Sequence, residues 1–349
     1  MKLADLRRAA TSRSLFAPTS LAEAIERLGY VQADPIRAPA RAQDLILRHR
    51  AADYRAGDLE RLYPTLPVEE DYLHNYGFVS PALHAALHPR PPRKKNAKAL
   101  EAKVRAFLQG RSTVHPREVE AALGKKSVGN YWGGTSAATT QVLDRLHYAG
   151  VLRVHQRVQG TRVYAPRPEP TDAPALDAGA RAHRILDVVL GLHAPLPAAS
   201  LTYVVRLLRY GAPQQAAALR TALADKEAEG TVRRFVVDGV TYVDWTAPPA
   251  AEKASVVRFL APFDPIVWDR RRFHHLFGWE YKFEAYTPPA KRRFGYYAMP
   301  ILWRDAAIGW VNVDAKGNVE AAYVEEPKDA TYRRRFAEEV DRLRWFLGP

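Results

Sequence analysis

Two stretches of this 349-residue chain run through one order of elements: three helical patterns, then two short β-rich runs around a turn. In the first stretch, about 96–168, apolar spacing predicts helices over 99–109, 115–123 and 136–149. Val142, Leu143 and Leu146 share one face of the third helix, and Gly150 supplies its stop. Short strands are expected over 151–154 and 162–165, around Gln159-Gly160. The second stretch, about 178–247, repeats the order with helices over 182–192, 198–208 and 213–229. Its strands, 232–237 and 240–245, flank Asp238-Gly239, a strong hairpin signal. Helix, helix, helix, hairpin is the winged helix-turn-helix order, a relative of motifs that place one helix in the DNA major groove. Winged helices also serve as protein-interaction modules, so the order alone leaves both partners open.

The flanking regions complete an α+β reading: tandem winged-helix domains followed by an antiparallel β-rich domain, sheet or barrel. A winged-helix-like unit over 1–95 ends in the stiff basic linker Pro89-Arg90-Pro91-Pro92-Arg93-Lys94-Lys95. Within it, Leu21–Leu28 reads as a helix stopped by Gly29, 30–34 as extended chain and 38–49 as a second helix. Pro166–Pro174 links the two repeats. Over 254–349, strands are expected at 283–286, 294–299, 307–313 and 319–324, with a closing helix over 332–347.

Charge sharpens the choice of partner. Lys and Arg number 52 against 38 Asp and Glu, a net charge of +14 with pI near 9.9. A polyanion fits such a surface, because each neutralised phosphate releases condensed counterions. Arginine-rich coding bias would raise the pI in the same way, so the charge needs a motif beside it. No cysteine is present, which excludes disulfides and thiolate zinc sites and fits a reducing cytoplasm. The charged start Met1–Arg8 is unlike a signal peptide, and no apolar run approaches the roughly 20 residues of a membrane span. A cytoplasmic, nucleoid-associated monomer is expected.

The most informative stretch is Tyr30-Val31-Gln32-Ala33-Asp34-Pro35. Pro35 disfavours helical backbone at Asp34, so the segment stays extended. Alternation then places Gln32 and Asp34 on one face, with Cα atoms roughly 6.5–7 Å apart. An amide beside a carboxylate suits glycoside-type hydrolysis: Asp34 to orient or deprotonate water and stabilise an oxocarbenium-like sugar, Gln32 to hold water or sugar. Asp-Pro after a strand also commonly makes a turn or a helix cap.

Val31-Gln32-Ala33-Asp34-Pro35-Ile36, followed by Ala40-Arg41-Ala42-Gln43-Asp44, resembles the signature of the AlkZ/YcaQ DNA glycosylase family. So does the block from Leu260 to Arg272, which continues through Leu276-Phe277-Gly278, Tyr281, Glu284, Lys291-Arg292 and Gly295-Tyr296-Tyr297. The resemblance implies tandem winged helices, a β-rich C-terminal domain, and monofunctional glycosylase activity on N7-alkylated purines, including unhooking of N7-linked interstrand crosslinks in double-stranded DNA. It makes Gln32 and Asp34 the catalytic pair, in the Gln-x-Asp form of the YcaQ-like subgroup. In place of the family's aromatic Glu-Tyr-Trp-type stretch with a downstream His stands Glu70-Asp71-Tyr72-Leu73-His74-Asn75-Tyr76, where His74 lines the site or is structural.

Candidate DNA contacts are Arg41, the linker Lys94 and Lys95, the wing residues Arg157 and Arg162, the hairpin Arg233 and Arg234, and Arg270, Arg271 and Arg272 beside Trp268. The last three are equally well read as an intramolecular cluster. Asp264 and Asp269 read as structural. Without cysteine or an H-E-x-x-H motif no metal is expected, and Gly129–Gly134 lacks a P-loop ending, so no cofactor is implied. The rival reading is a non-catalytic winged-helix regulator or architectural protein in which Asp34 only caps; no heptad seam supports the dimer such a regulator needs.

Overall fold

The computed structural model describes residues 1–91, 98–129, 133–167, 176–249, 255–314 and 316–348. The chain begins with α1 (Leu3–Ser14) and α2 (Leu21–Leu28). Ser20 and Glu23 cap α2 reciprocally, and Gly29 ends it at φ 69°. Extended chain follows as β1 (Tyr30–Gln32), then α3 (Ala42–Leu47), α4 (Asp58–Leu62), the hairpin strands β2 (Glu69–Tyr72) and β3 (Tyr76–Val79), and α5 (Pro81–Leu87). The three strands form one antiparallel sheet with β3 central, Gln32 facing Gly77 across β1 and β3. A Cβ at Gly77 would lie 2.4 Å from the Val31 carbonyl and 2.5 Å from the Tyr30 ring, so only glycine lets this part of β1 pack. The helix expected over 38–49 runs only over Ala42–Leu47: Pro39 disfavours helical backbone at Ala38, and Arg41 is extended at the N-cap.

The two repeats follow their predicted order. The first holds α6 (Lys98–Leu108), α7 (Pro116–Leu123), a small hairpin β4 (Ser127–Gly129) and β5 (Thr135–Ala137), α8 (Ala138–Tyr148), and the wing β6 (Leu152–Val158) and β7 (Thr161–Pro166). The second holds α9 (Ala178–His193), β8 (Leu196–Pro197), α10 (Ala198–Leu207), α11 (Ala216–Ala228), and β9 (Val232–Val237) with β10 (Val240–Trp245).

The C-terminal region has β11 (Val257–Phe259), α12 (Pro265–Trp268), α13 (Arg270–Phe277), β12 (Met299–Trp303), β13 (Ala306–Val313), β14 (Val319–Tyr323) and α14 (Ala330–Leu347). Its four strands form an open antiparallel meander rather than a barrel. Two expectations fail here. Phe283–Tyr286 is no strand but leads into a turn closed by the Thr287 N–H on the Glu284 carbonyl at 2.9 Å. The strand expected over 294–299 begins only at Met299, because the Glu284 carboxylate accepts from the Arg293 and Phe294 N–H groups and draws the backbone out of the sheet.

The segments do not stand apart. A contiguous apolar core runs from Phe16 to Phe346, and α9 packs against α1, α5 and α12 as well as α11. At its heart Arg50 and Asp264, both wholly buried, are joined by two hydrogen bonds of 2.8 and 3.1 Å. Arg50 also donates to the Ser14 and Ile46 carbonyls, and Asp264 caps α12 through the Ile266 N–H. Removing one partner of such a pair strands a buried charge. Arg50→Ala is therefore expected to cost about 3–5 kcal/mol in urea unfolding, while a paired apolar replacement, Arg50→Met with Asp264→Leu, costs much less; equal losses from both would contradict this reading.

Candidate active site

The β1 strand carries Gln32 to a narrow cleft with about 10 Å³ of free space, room for about one water, lined also by Tyr30, His74, His193, Phe263 and Trp268. Gln32 is buried, and its Oε1 accepts from the Trp268 indole N–H at 3.0 Å. An indole nitrogen only donates, so this bond fixes the amide: oxygen towards Trp268, the NH2 group free to donate. No protein group among the described residues accepts from that NH2. Gln32 therefore offers N–H donors to a water or a sugar oxygen, with its amide oxygen turned to Trp268.

Two residues on, the chain is still extended, with the Ala33 N–H on the Tyr76 carbonyl at 3.0 Å. The Asp34 N–H is held by Gln43 Oε1 at 3.2 Å, and Asp34 Oδ1 accepts from the Ile36 N–H at 2.9 Å. Asp34 does make the turn that its proline neighbour favours, with one oxygen. The other accepts from no protein group among the described residues. Burial pushes the half-buried Asp34 carboxyl above its usual range, and the Ile36 N–H offsets this only partly. That is the direction that makes a carboxylate a better base. Tyr297, its hydroxyl buried and without a hydrogen-bond partner, and the exposed Tyr286 both lie within electrostatic reach of Asp34.

His74 sits at the turn of the β2–β3 hairpin, buried, with both ring nitrogens unpartnered. Its ring meets Tyr30 edge-on at 4.9 Å and Trp268 at 4.6 Å. Burial pushes its pKa down to about 3, so it is neutral at physiological pH. His193, 5.0 Å from Trp268, is held well below the usual histidine range by burial and by the charge of Arg272. Neither ring supplies a ready proton.

The arginines divide sharply. Arg272 is buried and donates to the carbonyls of His193, Pro265 and Ile266, so it ties α13 to α9 and cannot reach a phosphate. Arg270 lies over the Tyr281 ring at 4.6 Å, whereas Arg271 is exposed. Asp269 caps α13 through the Arg271 and Arg272 N–H groups at 2.9 Å, the structural role expected of it. The wing residues Arg157 and Arg162 turn inward: Arg157 grips Glu70 at 2.8 and 2.5 Å, and Arg162 pairs with Asp144 at 3.1 Å and stands 3.8 Å from Glu70. They are bound to a carboxylate that could not stay buried alone, which removes them as free groove probes. Arg41 pairs with Glu60. Arg233 and Arg234 are exposed, the latter paired with Glu227 at 2.7 Å. Lys94 and Lys95 fall outside the described residues.

Sequence reasoning missed Gln43, Trp268 and Tyr297 as members of the site; the Trp beside a charged block was the available signal. It also passed over His84 and His88, four residues apart, which with Asp71 form a group whose ligand atoms lie within 4.8 Å of one another. Such a trio can hold a divalent cation, although Arg90 already donates to Asp71 at 2.6 Å and its charge opposes one. No helix of the described residues is long and apolar enough to cross a membrane.

The enzyme class comes from the comparisons with known proteins. The family described as DNA glycosylase AlkZ-like matches residues 25–346. The chain belongs to that family and is a DNA glycosylase. Its fold is similar to that of the Streptomyces sahachiroi DNA glycosylase AlkZ, with a TM-score of 0.65 at 15% identity, over 98% of this chain and 97% of that one. The regulator reading falls with the family assignment.

The Trp268 bond makes a direct prediction. Trp268→Phe keeps most of the ring but frees the Gln32 amide, and one lost hydrogen bond of about 1–1.5 kcal/mol corresponds to roughly tenfold slower base release. The DNA dissociation constant should not move; a shared loss of binding and rate would make Trp268 merely structural.

Proposed function

We propose that the enzyme hydrolyses the N-glycosidic bond of N7-alkylated purines, including those joined in interstrand crosslinks, with Gln32 and Asp34 as its catalytic pair. The observation that carries this reading is the absence, among the described residues around Gln32 and Asp34, of a group poised to protonate a departing base. Both histidines are held neutral, and burial together with the Asp34 charge pushes Tyr297 well above the usual range. Such a site needs a leaving group that is already activated. N7 alkylation places positive charge on the purine itself, so the base departs without an acid.

The work left to the protein is on the sugar side. As the glycosidic bond breaks, positive charge develops at the anomeric carbon, and the Asp34 carboxylate stabilises it. The open Asp34 oxygen accepts a proton from the attacking water, and the Gln32 NH2 donates to the water or to a sugar oxygen. The products are the free alkylated base and an abasic site; no lysine or amine attack on the sugar is required.

A crosslinked base cannot swing freely into a closed pocket, because its partner strand is tethered to it. The half-exposed Asp34, beside the exposed Tyr286 and a strongly basic chain, suits a duplex lying across the site. Two duplexes test the reading, one with a single 7-methylguanine and one with a nitrogen-mustard crosslink at N7. Release of 7-methylguanine and separation of the crosslinked strands on a denaturing gel are expected together, each leaving an alkali-labile site. Release from the first with the second untouched would remove crosslinks from the substrate range, and no release from either would overturn the N7 assignment.

A further inference from the structure

Tyr286 is 80% exposed, the most exposed of the chain's large apolar side chains among the described residues. An aromatic ring left in water is ordinary on a loose loop, but here the loop backbone is held in place. The turn hydrogen bond of Thr287 to Glu284 sets Tyr286 at the tip, and Pro288 and Pro289 stiffen the exit. Glu284, buried, accepts from the Arg293 and Phe294 N–H groups at 2.8 Å each, and Arg292 donates back to the Thr287 carbonyl at 2.8 Å. The loop is thus tied at both ends before any partner arrives.

The ring also stands on a continuous aromatic support. Tyr286 meets Phe283 edge-on at 6.2 Å, Phe283 meets Phe263 at 5.0 Å, and Phe263 lines the Gln32 cleft. On its other side Phe283 meets Tyr297 at 5.4 Å. Lys282, Lys291 and Arg293, all exposed, flank the turn in sequence and give this segment the charge that a phosphate backbone favours. An exposed aromatic ring on a tied backbone, with cationic side chains nearby in sequence, has the two features of a base-stacking contact: a presented π-face and an electrostatic guide.

We propose that Tyr286 stacks on a nucleobase next to the lesion and holds the base step open over Asp34. The proposal rests on the glycosylase reading of Asp34, whose charge lies within reach of the Tyr286 hydroxyl. Stacking explains how a tethered base can be attacked without full extrusion: the step is wedged apart, and the sugar rather than the base is brought to the carboxylate.

The test uses a duplex with one 7-methylguanine and 2-aminopurine as its neighbour, with wild type, Tyr286→Ala and Tyr286→Phe. 2-Aminopurine fluorescence reports the opened step, and single-turnover release reports the chemistry. Loss of a base–aromatic stack should slow release about tenfold to a hundredfold in Tyr286→Ala and abolish the fluorescence change, while Tyr286→Phe keeps both. A Tyr286→Ala enzyme with an unchanged fluorescence response, whatever its rate, would overturn the stacking role, as would a Phe variant behaving like the Ala variant. If wild type opens the step in a Tyr286-dependent way but releases no base, the stacking contact stands and the glycosylase reading of Asp34 falls.

Discussion

The buried pair of Arg50 and Asp264 is the contact on which the site depends. It joins residues 214 positions apart, with neither side chain exposed to water. Four of the five guanidinium N–H donors are taken by the Ser14 and Ile46 carbonyls and by both Asp264 oxygens. A pair so fully hydrogen-bonded has little freedom to slide, because any shift leaves a charge unsatisfied in a low-dielectric interior. Asp264 also starts α12, so the helix that carries Trp268 is set directly against the segment following β1. Position, rather than net stability, is what such a pair provides.

From that placement the chemistry of the site follows. Trp268 reaches Gln32 and orients its amide, while Gln43 and Tyr76 hold the backbone around Asp34. The environment is apolar enough to raise one carboxyl and to keep two histidines uncharged. In the proposed function, Asp34 is the base at a site without a poised acid, and the substrate brings its own positive charge. The aromatic wall from Phe263 to Tyr286 then connects this interior to the surface where a duplex would lie.

Much of this was legible in the sequence where local rules decide. The repeated helix order, the Asp238-Gly239 hairpin and the extended 30–34 segment all rest on periodicity, turn chemistry and the restriction Pro35 imposes. The misreadings have one source: partners distant in sequence. Arg157 reads as a DNA contact, yet the buried Glu69, Glu70 and Asp71 draw Arg167, Arg157 and Arg90 inward. Arg272 looks like its two arginine neighbours, yet it alone of the three lies wholly inside. Phe283–Tyr286 has the composition of a strand but is taken over by the Glu284 carboxylate. Likewise Gly77 is unremarkable in sequence, and its need appears only when the Val31 carbonyl is seen against it.

The central claim is that the ionised Asp34 carboxylate drives hydrolysis at this site. The most direct measurement is the single-turnover rate of 7-methylguanine release at saturating enzyme, from acid to neutral pH, for wild type and Asp34→Asn. Since the folded enzyme holds Asp34 protonated more readily than a free chain does, the ionised form is lost as pH falls through the raised pKa. The wild-type rate should therefore drop on the acid side with a midpoint above about 3.9, the ordinary aspartate value. Asp34→Asn should be slower by roughly a hundredfold or more, with no such limb, while binding DNA equally well. An asparagine variant that keeps the wild-type rate, or keeps the acid limb, would place the chemistry on another residue.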